Sequence, residues 1–163
     1  MEQALDLRQK ILKAESCSFD TTIVADYGDV LYEFKMHCST DKIGDLTFEV
    51  TQPATIQGIK GTIGASGGGL IFEDKVLAFA PMADDQLTPV SAPWIFMQTL
   101  RSGYIEACGE TEEGTMLRIN DSYREDALQL TILLNEKERP IYSQIMWKNK
   151  KVLSLTIENF TIS

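Results

Sequence analysis

The chain has 163 residues, of which 44% are hydrophobic and 24% are charged, and its formal net charge is −9 at pH 7. This length suits one domain that buries about two-thirds of the surface of its unfolded chain, and the composition excludes a disordered protein. The negative charge argues against a nucleic-acid partner and against simple electrostatic docking on anionic lipid.

The first segment has the periodicity of an amphipathic helix, which is predicted to end near residues 15–17. Its apolar residues share one face or lie beside it: Ala4, Leu7, Ile11 and Ala14, with Leu5 and Leu12 alongside. Met1 leads directly into this segment and not into a signal peptide, so we expect any targeting segment to lie upstream of Met1. No run of residues approaches the roughly 20 apolar positions that a membrane-spanning helix needs.

Apolar and polar residues alternate from Ser18 onward, and this period of two is typical of antiparallel strands with one buried face. The predicted buried face of the second strand consists of Tyr32, Phe34, Met36 and Cys38. The third strand is predicted to end before Pro53, because proline removes a hydrogen-bond donor from the ladder. The predicted strands are 19–25, 31–38, 45–51, 70–72, 75–80, 104–108, 115–120, 127–134, 140–147 and 152–160.

Two further segments lie between these strands. The glycine-rich stretch 58–69 lacks the Gly-Lys-Ser/Thr of a phosphate-binding loop, so we interpret its glycines as bending a strand at a corner of the sheet, with a turn at 67–69. Pro93 opens a short helix over residues 94–101, and Gly103 ends it. This helix is apolar nearly all round, which favours a lid that plugs the open end of the sheet over a direct ligand contact.

No set of residues points to catalysis, a metal or a cofactor. His37 is the sole histidine and lies on the polar side of its strand without a nucleophile motif nearby, so no enzyme is predicted. The acidic clusters lack the pattern of a calcium loop. Cys17, Cys38 and Cys108 are too far apart for a local zinc motif, and buried free thiols are favoured over a Cys38–Cys108 or Cys17–Cys38 bridge.

Several segments, taken in chain order, match the pattern of one known family. They are the strand end Phe48-Glu49-Val50-Thr51-Gln52-Pro53, the glycine-bearing hairpin 67–75, the helix after Pro93, Arg139-Pro140 before Ile145, and the closing strand 155–160. In these segments the chain resembles the LolA/LolB superfamily of lipoprotein carriers, and within it the lipoprotein branch of spore-forming Firmicutes, which includes a germination lipoprotein. The resemblance covers nearly the whole chain.

The resemblance implies an α+β fold in which residues 1–163 form a single LolA-like domain. Its sheet would be antiparallel, strongly curved and unclosed, a half-barrel wrapped over the N-terminal helix and a short lid helix. It further implies an extracytoplasmic protein, anchored on the outer face of the cytoplasmic membrane by a lipid that lies outside this sequence. The concave apolar face would hold an acyl chain or a hydrophobic segment of a partner, without enzymatic activity. The candidate lining residues are Phe34, Met36, Phe48, Ile71, Phe79, Trp94, Met97 and Leu130.

Each of these eight residues would serve equally well in a closed core. The alternative function is therefore a tethered lipoprotein module that binds and supports an envelope or spore-cortex enzyme without carrying lipid, through a sheet edge or by strand exchange. An open apolar pocket of several hundred Å³, on the order of known ligand sites, would favour the ligand hypothesis, and a filled interior would favour the module. The oligomeric state is left open, a homodimer included.

Overall fold

The computed structural model describes residues 1–64, 71–72 and 82–163, and of residues 71–72 it describes the backbone only. These residues form two helices and ten strands. The helices are α1 (Glu2–Lys13) and α2 (Ala92–Ser102). The strands are β1 (Cys17–Asp26), β2 (Leu31–Thr40), β3 (Leu46–Gln52), β4 (Lys60–Ile63), β5 (Ile71–Phe72), β6 (Tyr104–Thr111), β7 (Gly114–Asn120), β8 (Gln129–Leu134), β9 (Pro140–Trp147) and β10 (Lys150–Ile162).

All ten strands belong to one antiparallel sheet in the order β5-β4-β3-β2-β1-β10-β9-β8-β7-β6. The first and last strands of the chain meet at its centre, where β1 pairs with β10 from Cys17↔Ile162 to Ala25↔Leu153. Over the described residues, β5 and β6 lie at opposite ends and do not pair with each other, so the sheet is not closed. The architecture is an α+β open half-barrel, as the resemblance implies.

In the strands whose side chains are described, residues alternate between the two sides of the sheet, and we call the side that packs on the helices its concave face. The alternation is complete in β1, where every second residue from Cys17 to Ala25 is buried. In β8 and the residue before it, Leu128, Leu130, Ile132 and Leu134 are all fully buried. The alternation predicted from Ser18 onward is therefore confirmed in these two strands.

Both helices pack into the same apolar cluster as the concave face. From α1 the buried side chains are Ala4, Leu7 and Ile11, while Leu5 and Leu12 remain 48% and 45% exposed. From α2 the buried apolar side chains are Ala92, Pro93, Ile95, Phe96, Met97 and Leu100. The helices thus cover the sheet from one side, with a narrower buried stripe on α1 than its sequence suggests.

The structure corrects several predicted details. Tyr32 is not on the buried face of β2; it is 47% exposed near the hairpin end, where its ring packs edge-on against Tyr27. Within the glycine-rich stretch, Lys60–Ile63 is a regular strand, for which the alternation alone defines no bounds. Helix α2 begins at Ala92, two residues before the predicted start. The predicted turn at 67–69 and strand at 75–80 lie outside the described residues.

Candidate functional site

The concave face brings together six of the eight candidate lining residues. The fully buried ones, none more than 2% exposed, are Phe34, Met36, Phe48, Met97 and Leu130. Trp94 is partly buried and packs against the same cluster. Ile71 belongs to β5, but its side chain, like the whole of Phe79, lies outside the described residues.

Helix α2 fills the centre of this face through a chain of aromatic contacts. The Phe96 ring meets the Phe19 ring of β1 edge-on, with 5.8 Å between centroids. Phe19 in turn stacks on Phe160 of β10, with 5.7 Å between centroids. Such pairs add to the stabilisation that comes from burying the rings. The two central strands are therefore tied directly to α2.

Arg8 of α1 joins the two helices. Its guanidinium donates hydrogen bonds to the carbonyl oxygens of Leu100 (2.7 Å), Thr99 (3.2 Å) and Gly103 (2.8 Å), at the C-terminal end of α2. The last carbonyls of a helix have no partner within the helix and carry partial negative charge, so a cation is favoured there. Burial lowers the pKa of the Arg8 guanidinium, from a value so high that the group stays charged.

Three clefts are lined by described residues, and two of them are mainly polar. One of about 450 Å³ is lined by five glutamates together with Gln3, Thr111, Gly114, Thr115 and Asn135. A second, of about 250 Å³, is also polar and includes Arg124 and Lys148. A third, of about 220 Å³, lies beside α2 and includes Trp94 and Asp121, whose carboxyl pKa is raised by burial. Of the six candidate residues whose side chains the structure describes, only Trp94 lines any of these three clefts. The five fully buried ones are core residues in this conformation.

His37 lies on the face opposite the core, beside Asp20. Its Nδ1 is 2.7 Å from Asp20 Oδ1, and the Asn159 amide donates to Asp20 Oδ2 at 3.0 Å. The hydrogen bond from Asn159, followed by the one from His37, lowers the pKa of the Asp20 carboxyl. Both members of the pair are about half exposed, so it contributes little to stability.

Over the ranges 1–64, 71–72 and 82–163, no three His, Cys, Asp or Glu side chains are placed to bind a metal ion. The same ranges contain no helix that is both long and apolar enough to span a bilayer.

The three cysteines are free thiols with different exposures. Cys17 and Cys38 are buried, and burial raises the pKa of each thiol, most strongly that of Cys38. Cys108 in β6 is only partly buried. Because the thiolate is the reactive form, we expect Ellman's reagent to modify one thiol rapidly in the native protein and all three after denaturation. Rapid reaction of a second native thiol would contradict the closed packing around β1 and β2.

No protein-family model matches the chain, and no curated protein matches it. Solved structures do match along nearly its whole length. An uncharacterized conserved protein from Thermus thermophilus is 13% identical with a TM-score of 0.49, over 99% of this chain and 86% of that one. A putative outer membrane lipoprotein-sorting protein domain from Vibrio parahaemolyticus is 8% identical with a TM-score of 0.45, over 99% and 91%.

A LolA superfamily protein from Nitrosomonas europaea is also 8% identical, with a TM-score of 0.42 over 98% of this chain and 93% of that one. The matched structures thus include the group that the sequence resembles, while the narrower Firmicutes branch stays a prediction. These identities and TM-scores are too low to carry a function from any of these proteins to this chain.

Proposed function

We propose that the chain is a non-enzymatic binding protein of the cell envelope that takes an acyl chain, or a hydrophobic segment of a partner, into the concave face of its sheet. The observation that carries this proposal is α2, an apolar helix seated inside an unclosed sheet. The Phe96 ring of α2 contacts Phe19 of β1, and α2 belongs to the same apolar cluster as Phe34, Phe48 and Leu130, so an outward movement of α2 would open this cluster. An acyl chain presents an apolar surface like that of α2, and it can take the place of α2 against these side chains.

The apolar part of such an exchange costs little free energy. Apolar surface contributes about 25 cal/mol per Å² buried, whether a helix or an acyl chain covers it, so the apolar cost of moving α2 is largely recovered. The polar contacts that hold α2 are what a ligand must overcome. These are the Arg8 hydrogen bonds, the Gln98 amide donating to the Gly44 carbonyl at 3.2 Å, and Arg101 donating to the Lys42 carbonyl at 3.2 Å.

Loosening one of these contacts provides a first test. The substitution Arg8→Met keeps the apolar stem and removes three hydrogen bonds to α2. We expect it to lower the free energy of unfolding by about 1–2 kcal/mol, since the group is only half-buried. We also expect it to raise the affinity for a fluorescent fatty acid by roughly tenfold, because the closed state is weakened relative to the open one.

The matched control is Lys10→Met on the same helix. Lys10 makes one exposed ion pair, 3.9 Å from Glu138, so its loss should change neither quantity measurably. Equal fatty-acid affinities in Arg8→Met, Lys10→Met and the unaltered protein would show that α2 does not gate the concave face.

The proposal itself is tested by native mass spectrometry of the protein purified with its own membranes. Co-purified lipid mass, displaced by added fatty acid, is the expected result. A bare polypeptide mass, combined with no response from a fluorescent fatty acid, would overturn acyl-chain binding.

We further propose an extracytoplasmic location, one domain over residues 1–163, and anchoring through a lipid on a segment outside this sequence. The support is the resemblance at Phe48–Pro53, at the helix after Pro93 and in the closing strand. Labelling of the full-length protein in intact cells with a membrane-impermeant reagent tests the location, and protection from that reagent would contradict it.

A second candidate function is an interaction module that holds no lipid. It is favoured by the complete burial of Phe34, Phe48 and Met97, since in this conformation α2 already occupies the space that a ligand would take. Native mass spectrometry of the same membrane preparation tests it. A partner protein that co-purifies in stoichiometric amount, with no lipid mass, supports the module.

A further inference from the structure

The strand β6 ends the sheet on one side. Within the described residues β6 pairs only with β7, and no strand covers its other edge. Several of its residues are exposed to solvent, including Glu106, Gly109, Glu110 and Thr111. An exposed edge leaves backbone N–H and C=O groups without strand partners and is a template for another chain.

The hairpin geometry identifies which backbone groups face outward. Strands β6 and β7 are joined by a two-residue loop, with Thr111 paired to Gly114. The residues that flank such a loop exchange hydrogen bonds with each other, and hydrogen-bonded pairs alternate with non-bonded pairs along an antiparallel ladder. Counting back from Thr111, the backbone N–H and C=O groups of Glu110 and of Cys108 therefore point away from β7.

The regular part of this edge is short and well defined. The register between β6 and β7 shifts between Ile105 and Ala107, which marks a bulge at Glu106. From Ala107 to Thr111 the pairing is uninterrupted. At Gly109 an added Cβ, which would point out of the plane of the sheet, would meet no atom within 4 Å, so this point on the face of β6 is uncovered. A bulge protects one end of an edge strand, and the residues beyond it remain available for pairing.

The available part of β6 runs into a strongly acidic cleft. The 450 Å³ cleft lies at the end of the sheet where β6 turns into β7, and its glutamates are Glu110, Glu112, Glu113, Glu136 and Glu138. Among the residues that the structure describes, no lysine or arginine lines it, and Lys10 forms an ion pair with Glu138 at 3.9 Å. If a partner strand pairs with residues 107–111, one of its ends lies near these glutamates. Their negative potential favours basic side chains at that end and repels acidic ones.

We propose that the edge of β6 binds an extended, basic segment of a partner protein as an added strand, with the lysine or arginine side chains at one end of that segment held by the acidic cleft. This inference rests on the second candidate function and names its surface and the chemistry of its partner. A second copy of this chain is a poorer occupant, because each copy carries a net charge of −9. The pairing would use backbone hydrogen bonds for affinity and the glutamates for selectivity.

The test uses a fluorescein-labelled seven-residue peptide of alternating lysine and valine, with fluorescence anisotropy as the readout. We expect saturable binding that weakens as salt is raised, and no binding of the matched glutamate–valine peptide. A lysine–valine peptide N-methylated at every interior amide keeps the charges but loses the donors, and it should bind about tenfold more weakly or not at all.

Two substitutions at one position locate the site on the protein. Glu110→Gln removes a charge, and Glu110→Pro removes the same charge and the outward N–H while sparing the ladder to β7. We expect Glu110→Pro to bind the peptide about tenfold more weakly than Glu110→Gln. Circular dichroism checks that both fold, and the N-methylated peptide keeps the test decisive on the unaltered protein if Glu110→Pro does not.

Three outcomes would overturn the inference. The first is absence of peptide binding; the second is equal binding of the N-methylated peptide, which would mean attraction by charge alone. The third is a dimer in light scattering without peptide that Glu110→Pro dissociates, which would assign the edge to a second copy. Fatty-acid binding is measured in the same samples. Because the concave face and the β6 edge are different surfaces, a failure of peptide binding can be distinguished from a failure of fatty-acid binding.

Discussion

Replacing Phe96 by alanine is expected to lower the free energy of unfolding by about 3–5 kcal/mol, the range found when a buried aromatic side chain is removed. Phe96 is fully buried and contacts Phe19, which stacks on Phe160, so one substitution removes the link between α2 and the two central strands. Urea denaturation followed by tryptophan fluorescence measures the loss, since both tryptophans, Trp94 and Trp147, pack against the core.

The matched control is Ile43→Ala in the turn between β2 and β3. Ile43 is 72% exposed, so its truncation should change the free energy of unfolding by no more than about 0.5 kcal/mol. A loss below about 1 kcal/mol for Phe96→Ala would mean that α2 does not pack on the sheet as described. It would thereby contradict the closed state, in which α2 covers the concave face.

Replacing Gly114 by alanine is expected to cost about 2–4 kcal/mol, from two causes that act together. The residue has φ +139°, a backbone conformation that residues with a Cβ rarely adopt. A Cβ at this position would also overlap the backbone carbonyl oxygen of Leu134 in β8, which cannot rotate away. The strain falls on the pairing of β7 with β8, so the transition midpoint in urea should drop sharply.

Gly109→Ala in the same hairpin provides the comparison. Gly109 lies in β6 without a positive φ, and an added Cβ there meets nothing within 4 Å. Its replacement should leave stability unchanged or raise it by about 0.4–1 kcal/mol, through the lower entropy of the unfolded chain. Similar stabilities for Gly114→Ala and Gly109→Ala would contradict the described geometry of the β6–β7 hairpin.

The fold could be predicted where its signal is local. Alternation in β1, β3, β8 and β10 records which side of each strand meets the core, and burial in the structure follows it. The proline after β3 likewise ends its strand for a local reason. In β4 glycines take the place of larger apolar residues. Apolar and polar positions are then hard to tell apart, and the alternation does not define where the strand begins and ends.

The site could be predicted only in part, because its decisive features are long-range. In the sequence, nothing distinguishes Arg8 from the other polar residues of the amphipathic helix. Its hydrogen-bond partners Thr99, Leu100 and Gly103 lie more than 90 positions away along the chain. No spacing or motif in the sequence signals that contact. A filled core and an open apolar cavity also require the same alternating residues, so the occupancy of the concave face depends on packing volume, which only coordinates reveal.

The exposed leucines of α1 illustrate the same limit. Leu5 and Leu12 fall beside the apolar stripe by helical spacing, yet the neighbouring elements cover only Ala4, Leu7 and Ile11. How wide a stripe becomes buried depends on the curvature of the sheet and on the place that α2 takes beside α1.

The most direct measurement of acyl-chain binding is photo-crosslinking with a fatty acid that carries a diazirine at its chain end, followed by peptide mapping in the mass spectrometer. If the concave face admits an acyl chain when α2 moves, the adducts should fall on inward residues such as Phe34, Met36, Phe48, Met97 and Leu130. Adducts confined to exposed side chains such as Leu5 and Ile43, or none above the level of a denatured control, would contradict it.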